Sequence, residues 1–472
     1  MNKSDIAVIG LGVMGQNLAL NIESRGYEVS VFNRTGEQTK KFVESIEGKV
    51  DRLKATYNIE ELVSSLKSPR KIILMVKAGE AVDIVIEALL PLLEKGDIIM
   101  DGGNSNFKDT IRRSSYLEEK NILFLGTGIS GGEEGALKGP SIMSGGSPEA
   151  WEQTKNILID ISAKVDEKIP CCDYIGANGS GHYVKMVHNG IEYGDMQLIS
   201  ETYYLMKELL GMTPEEMHNV YAEWNKRELN SYLIEITADI LEKVDEETSK
   251  PLIDVILDLA REKGTGKWTS QESLELRVPT PTMSEALFAR YMSAKKIERV
   301  EASKILKGPE KKLDINKEQM LQDIEKALYA SKICSYAQGF DLLKQASNTY
   351  NWNLDFGNIA LLWRRGCIIR AQFLNKIKEA YDNNKELNNL LLDPHFKQVI
   401  DKAQDSWRRV IAEAVKAGIP VPALSSALFY YDSYRNDRLW ANMIQAQRDY
   451  FGSHTYERID KEGFFHTEWK GI

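Results

Sequence analysis

The feature that most constrains this chain lies near its start. Gly10-Leu11-Gly12-Val13-Met14-Gly15 directly follows the short apolar run Ile6 to Ile9 and opens a helical stretch that stops at Gly26. In a strand–turn–helix unit the first glycine of G-x-G-x-x-G makes the tight turn. The second lets a ligand approach the backbone, and the third lets the helix pack on the strand. The unpaired N–H groups and positive dipole end of the helix then form a seat for phosphate. Outside such a setting the string is often only a turn. Here it predicts a dinucleotide site holding Gly10, Leu11, Gly12, Val13, Met14 and Gly15.

The residues that follow keep the rhythm of strand and helix. Val29 to Phe32, Ile72 to Val76, Ile98 to Met100 and Ile122 to Leu125 are apolar runs separated by amphipathic stretches. Apolar strands alternating with helices imply a parallel sheet covered on both faces. The glycine-rich stretch Gly126 to Gly146 reads as a loop, with a short strand around Ile142. From Gly179 onward only helical periodicity remains, with one long helix expected from Gly181 to about Leu210. Thr280-Pro281 reads as an N-cap and first helical turn, opening the helix that carries Phe288 and Arg290. The expected fold class is therefore α/β: a Rossmann-type N-terminal domain (1–177), a large all-α domain for substrate and dimerisation (178–438), and an extended C-terminal tail (439–472). The tail carries Tyr450, Phe451, Tyr456, Phe464, Phe465 and Trp469, too many large rings to stay in water. Pattern alone leaves two readings open, a tail packed on its own domain or an arm packed into another subunit.

Composition bounds the partners. A net charge of -9 over 472 residues does not favour nucleic acid or an anionic membrane surface. The start of the chain does not read as a signal peptide, and no stretch approaches the roughly 20 apolar residues of a membrane span. Cys171, Cys172, Cys334 and Cys367 have neither metal-ligand nor disulfide-framework spacing. They read as reduced, structural thiols of a soluble, cytoplasmic protein. The six histidines form no ligand cluster, so no catalytic metal is expected.

Cofactor choice is read at the end of the second strand, in Val31-Phe32-Asn33-Arg34-Thr35. Enzymes that take NAD usually place a carboxylate there for the ribose hydroxyls. Asn33, Arg34 and Thr35 instead suit a 2'-phosphate, which Arg34 would pair with, so NADP is the expected cofactor. The competing reading is an ordinary turn with a helix N-cap at Thr35. On the long helix, Lys185, Asn189 and Glu192 fall within about 60° of one another. A base, an amide and an acid on one face suit proton-transfer chemistry, provided burial or a nearby cation lowers the lysine's pKa. A solvent-facing Lys–Glu pair would give the same pattern. Ser130-Gly131-Gly132 lies after a strand, at the sheet end where such folds bind ligands. Lys263-Gly264-Thr265-Gly266-Lys267-Trp268 fails as a P-loop, because Trp268 stands where a Ser or Thr is needed, yet it suits a substrate phosphate.

Taken together, G-L-G-V-M-G-Q-N-L, V-F-N-R-T, I-S-G-G-E-E-G-A, G-H-Y-V-K-M-V-H-N-G-I-E-Y, D-L-A-R-E-K-G-T-G-K-W-T and I-Q-A-Q-R-D-Y-F-G-S-H-T-Y resemble decarboxylating 6-phosphogluconate dehydrogenases, in order and through the whole chain. Arg261-Glu262 departs from the family pattern, where a small residue and an amide are expected. The resemblance implies NADP-dependent oxidative decarboxylation of 6-phosphogluconate to ribulose 5-phosphate, with Lys185 as base, Glu192 as acid and Asn189 beside them. It implies that Asn104, Ser130, Gly131, Gly132, His188 and Asn189 position the sugar acid, and that Tyr193, Lys263, Thr265, Arg290, Arg448 and His454 hold its phosphate end. Val76, Lys77, Ala78 and Asn104, with Met14, would line the cofactor. It also implies a homodimer in which Arg448 and His454 complete the partner's site. The rival is a β-hydroxyacid dehydrogenase acting on an unphosphorylated substrate, which would have no need of Lys263, Arg290 or Arg448.

Overall fold

In the computed structural model, which describes residues 3–262, 264–309 and 314–469, the apolar run Ile6–Ile9 is strand β1, buried along its whole length. It is followed by β2 (Val29–Phe32), β3 (Leu53–Ala55), β4 (Lys71–Leu74), β5 (Ile98–Asp101), β6 (Leu123–Ser130) and β7 (Ser141–Gly146). A small ribbon of β8 (Lys164–Val165) and β9 (Ile169–Pro170) precedes β10 (Cys172–Gly176). The main sheet has the order β10-β7-β6-β5-β4-β1-β2-β3. From β3 to β6 this is the doubly wound order 3-2-1-4-5-6, which opens a crevice between β1 and β4 where the winding reverses. Helices α1 (Val13–Ser24), α2 (Gly36–Ile46), α3 (Ile59–Ser64), α4 (Glu80–Leu89), α5 (Phe107–Glu118), α6 (Gly132–Lys138) and α7 (Pro148–Ile161) connect the strands. Separate clusters around Val8, Leu18 and Val31 and around Ala7, Ile72 and Leu74 cover the two faces of the sheet.

Three expectations need correction. The sheet is not parallel throughout, since β7 pairs with β6 antiparallel before β10 returns parallel to β7. The stretch Gly126 to Gly146 is not a loop, because β6 runs on to Ser130, α6 follows, and β7 takes the rest. Its glycines have a packing cause. A Cβ at Gly128 would stand 2.5 Å from the Cβ of Lys185, so the strand is glycine-rich where a helix lies directly on it. Lastly, β4 stops at Leu74, which leaves Met75 to Gly79 as a loop.

That crossing helix is α8 (Ser180–Glu208), close to the expected span. The helical part continues with α9 (Pro214–Trp224), α10 (Tyr232–Glu242), α11 (Leu252–Val255), α12 (Thr265–Glu275), α13 (Pro281–Ala294), α14 (Lys296–Ile305), α15 (Lys317–Tyr350), α16 (Phe356–Leu362), α17 (Leu374–Asn383), α18 (Pro394–Ala417) and α19 (Pro422–Tyr434). Pro281 opens α13 as expected, but Thr280, although it stands at the cap position, makes no side-chain cap hydrogen bond. Among the described residues no helix is long and apolar enough to cross a membrane. All four cysteines are free and buried, and burial raises their pKa values, so they stay protonated and unreactive.

The chain forms two compact units, one ending at Ala427 and one beginning at Leu428. The second contains α20 (Ala441–Gly452) and the antiparallel pair β11 (Tyr456–Glu457) and β12 (Phe464–Phe465). Its centre is polar. The buried carboxylate of Asp449 accepts from Thr455 N (3.0 Å), His466 Nδ1 (2.9 Å), Thr467 N (3.0 Å) and Trp469 Nε1 (2.8 Å).

Candidate active site

The glycine turn after β1 is built for close contact. Gly10 has φ +99°, and a Cβ on Gly15 would lie 1.9 Å from the Gly10 carbonyl oxygen, so α1 can start here only with glycine. A Cβ on Gly12 would meet nothing within 4 Å, and no side chain caps α1. The backbone therefore faces open space with its first N–H groups available, which fits a pyrophosphate. Asn33 ties this turn to the end of β2 by accepting from Leu11 N at 3.0 Å. Its own amide donates to Gln38 Oε1 at 3.1 Å. Arg34 and Thr35 beside it are exposed, as a group that meets a 2'-phosphate must be. Thr35 does precede α2, without a side-chain cap bond. Across the crevice the loop after β4 brings half-buried Val76 and Ala78 and exposed Lys77, and the loop after β5 brings exposed Asn104. Sequence reading passed over Gln16 and Gln38, whose amides both donate to the Leu11 carbonyl. An isolated glutamine carries no pattern that would have marked it.

Lys185 of α8 is not a solvent-facing member of a Lys–Glu pair. Lys185 is 6% exposed and its Nζ donates to Asn189 Oδ1 (2.8 Å) and Ser130 Oγ (3.0 Å). Both acceptors are neutral. Burial lowers the Lys185 pKa, against the pull of Glu192 that raises it. His188, fully buried, is held well below its usual pKa by burial and then by the charge of Lys185. It is therefore the neutral imidazole, with Nδ1–H directed at Asn189 Oδ1 (2.9 Å) and Nε2 toward Ser130 Oγ (3.3 Å). Asn189 in turn donates from Nδ2 to Thr265 Oγ1 at 3.0 Å, which fixes its amide orientation. Glu192 stands at the edge, its side chain 20% exposed and 3.8 Å from His188 Nδ1.

Several expected residues are therefore together: Lys185, His188 and Asn189 from α8, Ser130 from the end of β6, and Thr265 from the start of α12. Gly131 has φ +116° and Gly132 φ +62°, turning the chain from β6 into α6 next to Ser130. One helical turn beyond Asn189, Tyr193 is buried with the Arg290 guanidinium 3.5 Å from its ring centroid. Lys263 lies outside the described residues. Arg448 and His454 are exposed residues of the second compact unit, flanking the buried Asp449.

A doubly wound sheet with a glycine-lined phosphate seat, and a buried lysine bonded to neutral acceptors at the end of β6, define a pyridine-nucleotide-dependent dehydrogenase. Residues 5–176 match the NAD binding domain of 6-phosphogluconate dehydrogenase, and residues 181–469 match the C-terminal domain of 6-phosphogluconate dehydrogenase. The chain belongs to the 6-phosphogluconate dehydrogenase family. It is 63% identical over 470 residues to the NADP(+)-dependent, decarboxylating 6-phosphogluconate dehydrogenase of Bacillus subtilis (strain 168), covering 99% of this chain and all of that one. It is 58% identical over 464 residues to the decarboxylating enzyme of Staphylococcus aureus (strain N315), with 98% of each covered. The solved 6-phosphogluconate dehydrogenase of Plasmodium falciparum, studied in its apo form and in complex with NADP+ and with 6-phosphogluconate, superposes with a TM-score of 0.95 at 48% identity, over 98% of this chain and 100% of that one. The rival reading, an unphosphorylated substrate, is not favoured by relatives of this kind.

Proposed function

We propose that this chain catalyses oxidative decarboxylation of 6-phospho-D-gluconate to D-ribulose 5-phosphate and carbon dioxide with reduction of NADP, in the oxidative branch of the pentose phosphate pathway and in gluconate utilisation. The observation that carries the reading is Lys185 Nζ, buried between Ser130 and Asn189 with no carboxylate bonded to it among the described residues. Bound NADP supplies the hydride acceptor for C3. Lys185, uncharged, takes the proton from the C3 hydroxyl. The resulting ammonium and the amide of Asn189 then face the C3 carbonyl oxygen, where negative charge collects as carbon dioxide leaves, an oxyanion-type stabilisation. Glu192, at the wetter edge of the cluster, protonates C1 of the enediol.

Ser130, Gly131, Gly132, His188 and Asn104 position the sugar acid, and Tyr193, Lys263, Thr265 and Arg290 hold its phosphate. Asn33, Arg34 and Thr35 read the cofactor's 2'-phosphate, and Val76, Lys77 and Ala78 line its nicotinamide side. The functional divisions are 1–177 for the cofactor, 178–438 for substrate and dimerisation, and 439–472 as an arm. In a cytoplasmic homodimer this arm brings Arg448 and His454 to the partner's substrate phosphate. The reading is supported by the exposed rings Trp440, Phe451 and Phe464 of the second unit, at 67%, 72% and 76%.

The test is NADP reduction with 6-phosphogluconate and with gluconate while released carbon dioxide is trapped. Equal amounts of NADPH and carbon dioxide from the phosphorylated acid alone are expected. Reduction without carbon dioxide, or equal rates on gluconate, would overturn the assignment.

A further inference from the structure

The proposed reaction uses two loops from different strands: Met75 to Gly79 after β4, and Gly102 to Asn106 after β5. Both face the crevice, and a single side chain joins them. Arg113 of α5 is 1% exposed. Its Nε donates to Asp83 Oδ1 (2.8 Å) and its Nη2 to Asp83 Oδ2 (3.0 Å), in the first turn of α4. The same Nη2 donates to the Gly79 carbonyl at 3.0 Å, which ends the first loop. Its other arm, Nη1, lies 3.4 Å from Asp101 Oδ2, at the end of β5. Asp101, fully buried, accepts from Ser105 Oγ (2.6 Å) and Gly103 N (3.1 Å), the two residues that flank Asn104. One turn earlier on α5, Thr110 Oγ1 and His182 Nδ1 are 2.7 Å apart, and His182 lies three residues before Lys185 on α8.

We propose that Arg113 is a positioning residue for hydride transfer. Its planar fork spans Asp83 and Asp101 at once, and so fixes the spacing between the Val76–Ala78 loop and Asn104. From the same helix, Thr110 registers the base of α8, so the cofactor loop, the Asn104 loop and Lys185 share one frame. A lysine at 113 reaches one carboxylate and cannot bridge both in a plane. This inference rests on the proposed reaction. Its neighbour Arg112 offers a built-in control, since it also meets Asp83 (3.0 Å) but from a 55% exposed side chain.

The experiment compares Arg113→Lys, Arg113→Ala and Arg112→Ala with the unaltered full-length enzyme. NADP dissociation constants are taken by calorimetry without substrate, and kcat and the isotope effect with 6-phosphogluconate deuterated at C3. For the Arg113 variants the expectation is about tenfold weaker NADP, about 100-fold lower kcat and a larger isotope effect, because misplacement by about 1 Å slows the chemical step. Arg112→Ala should match the unaltered enzyme. If the Arg113 variants change none of the three readings by more than about twofold while melting earlier, Arg113 is a purely structural ion pair and the proposal falls. Should they fail to fold, Asp83→Asn, whose side chain is 33% exposed, loosens the first loop alone. Weaker NADP binding supports the proposal, and unchanged binding overturns it. An unaltered enzyme that makes no NADPH would defeat the proposed reaction instead, and the calorimetric comparison would still read Arg113.

Discussion

Lys185 on α8 and Lys332 on α15 are buried to a similar degree, 6% and 0% exposed, but their partners differ in charge. Lys332 is ion-paired with Asp195, itself buried on α8 ten residues beyond Lys185. Among the described residues Lys185 Nζ donates to a hydroxyl and an amide oxygen, with His188 Nδ1 at 3.5 Å, and the pull of Glu192 does not offset its desolvation. A buried ammonium with a carboxylate on it is a fixed structural charge. One with neutral acceptors sheds its proton more readily, as a general base near neutral pH must. The same helix thus carries one lysine proposed here as the base and accepts another from α15 for cohesion.

The largest effect should come from breaking the first half of this comparison. Lys185→Ala should lower kcat by about 10²- to 10⁴-fold while NADP binding, read by calorimetry, stays intact. Near-normal turnover would remove Lys185 as the base. Breaking the second half should do the reverse. Lys332→Met leaves Asp195 charged and unpaired in the core, and should lower unfolding free energy by about 3–5 kcal/mol in denaturant titrations. Its kcat in the cold, folded enzyme should stay within about twofold, and adding Asp195→Leu should recover much of the stability.

A third buried charge on α8 sharpens the contrast. Glu201 accepts backbone N–H from Ala423 (2.8 Å) and Leu424 (2.9 Å) at the start of α19, yet burial raises its pKa to about 7. Between the unfolded value near 4.5 and about 7 the folded state holds the extra proton, so stability falls as pH rises through that window. Glu201→Gln should flatten this slope, a change of about 3 kcal/mol across the window by thermal melts at fixed pH values. A parallel slope in the variant would place the titration elsewhere. Smallest is the cofactor test. Arg34→Ala should weaken NADP by about 10- to 100-fold, and NAD by less than about threefold. Equal losses would mean that the 2'-phosphate is read at another position.

How legible each part was in the sequence follows from how local its cause is. The turn at Gly10 to Gly15 is set by strand, glycine spacing and helix within a short window, so its strand–turn–helix form is legible in the sequence. The alignment of Lys185 with Asn189 follows from helical period alone. The glycines around Ser130 argue for a loop, whereas Ser130 ends β6. The reason they are in a strand, the closeness of α8 at Lys185, is a contact between distant segments. The pairing of Asp195 with Lys332, 137 residues apart, and the bridge from Arg113 to Asp83 and Asp101 leave no periodic trace at all. No pattern marks Asp449, because its role as the polar centre of that unit needs partners 6 to 20 residues further on.

The central claim is that Lys185 is a lysine whose proton is easily lost. It is tested most directly by following the side-chain nitrogens of protein labelled with 15N-lysine across pH, the Lys185 resonance being assigned by its absence in Lys185→Ala. A resonance that titrates below the ordinary lysine value of 10.5 is the predicted result. A Lys185 that stays charged up to or beyond that value would contradict the account, because no neutral base would then stand at the end of β6.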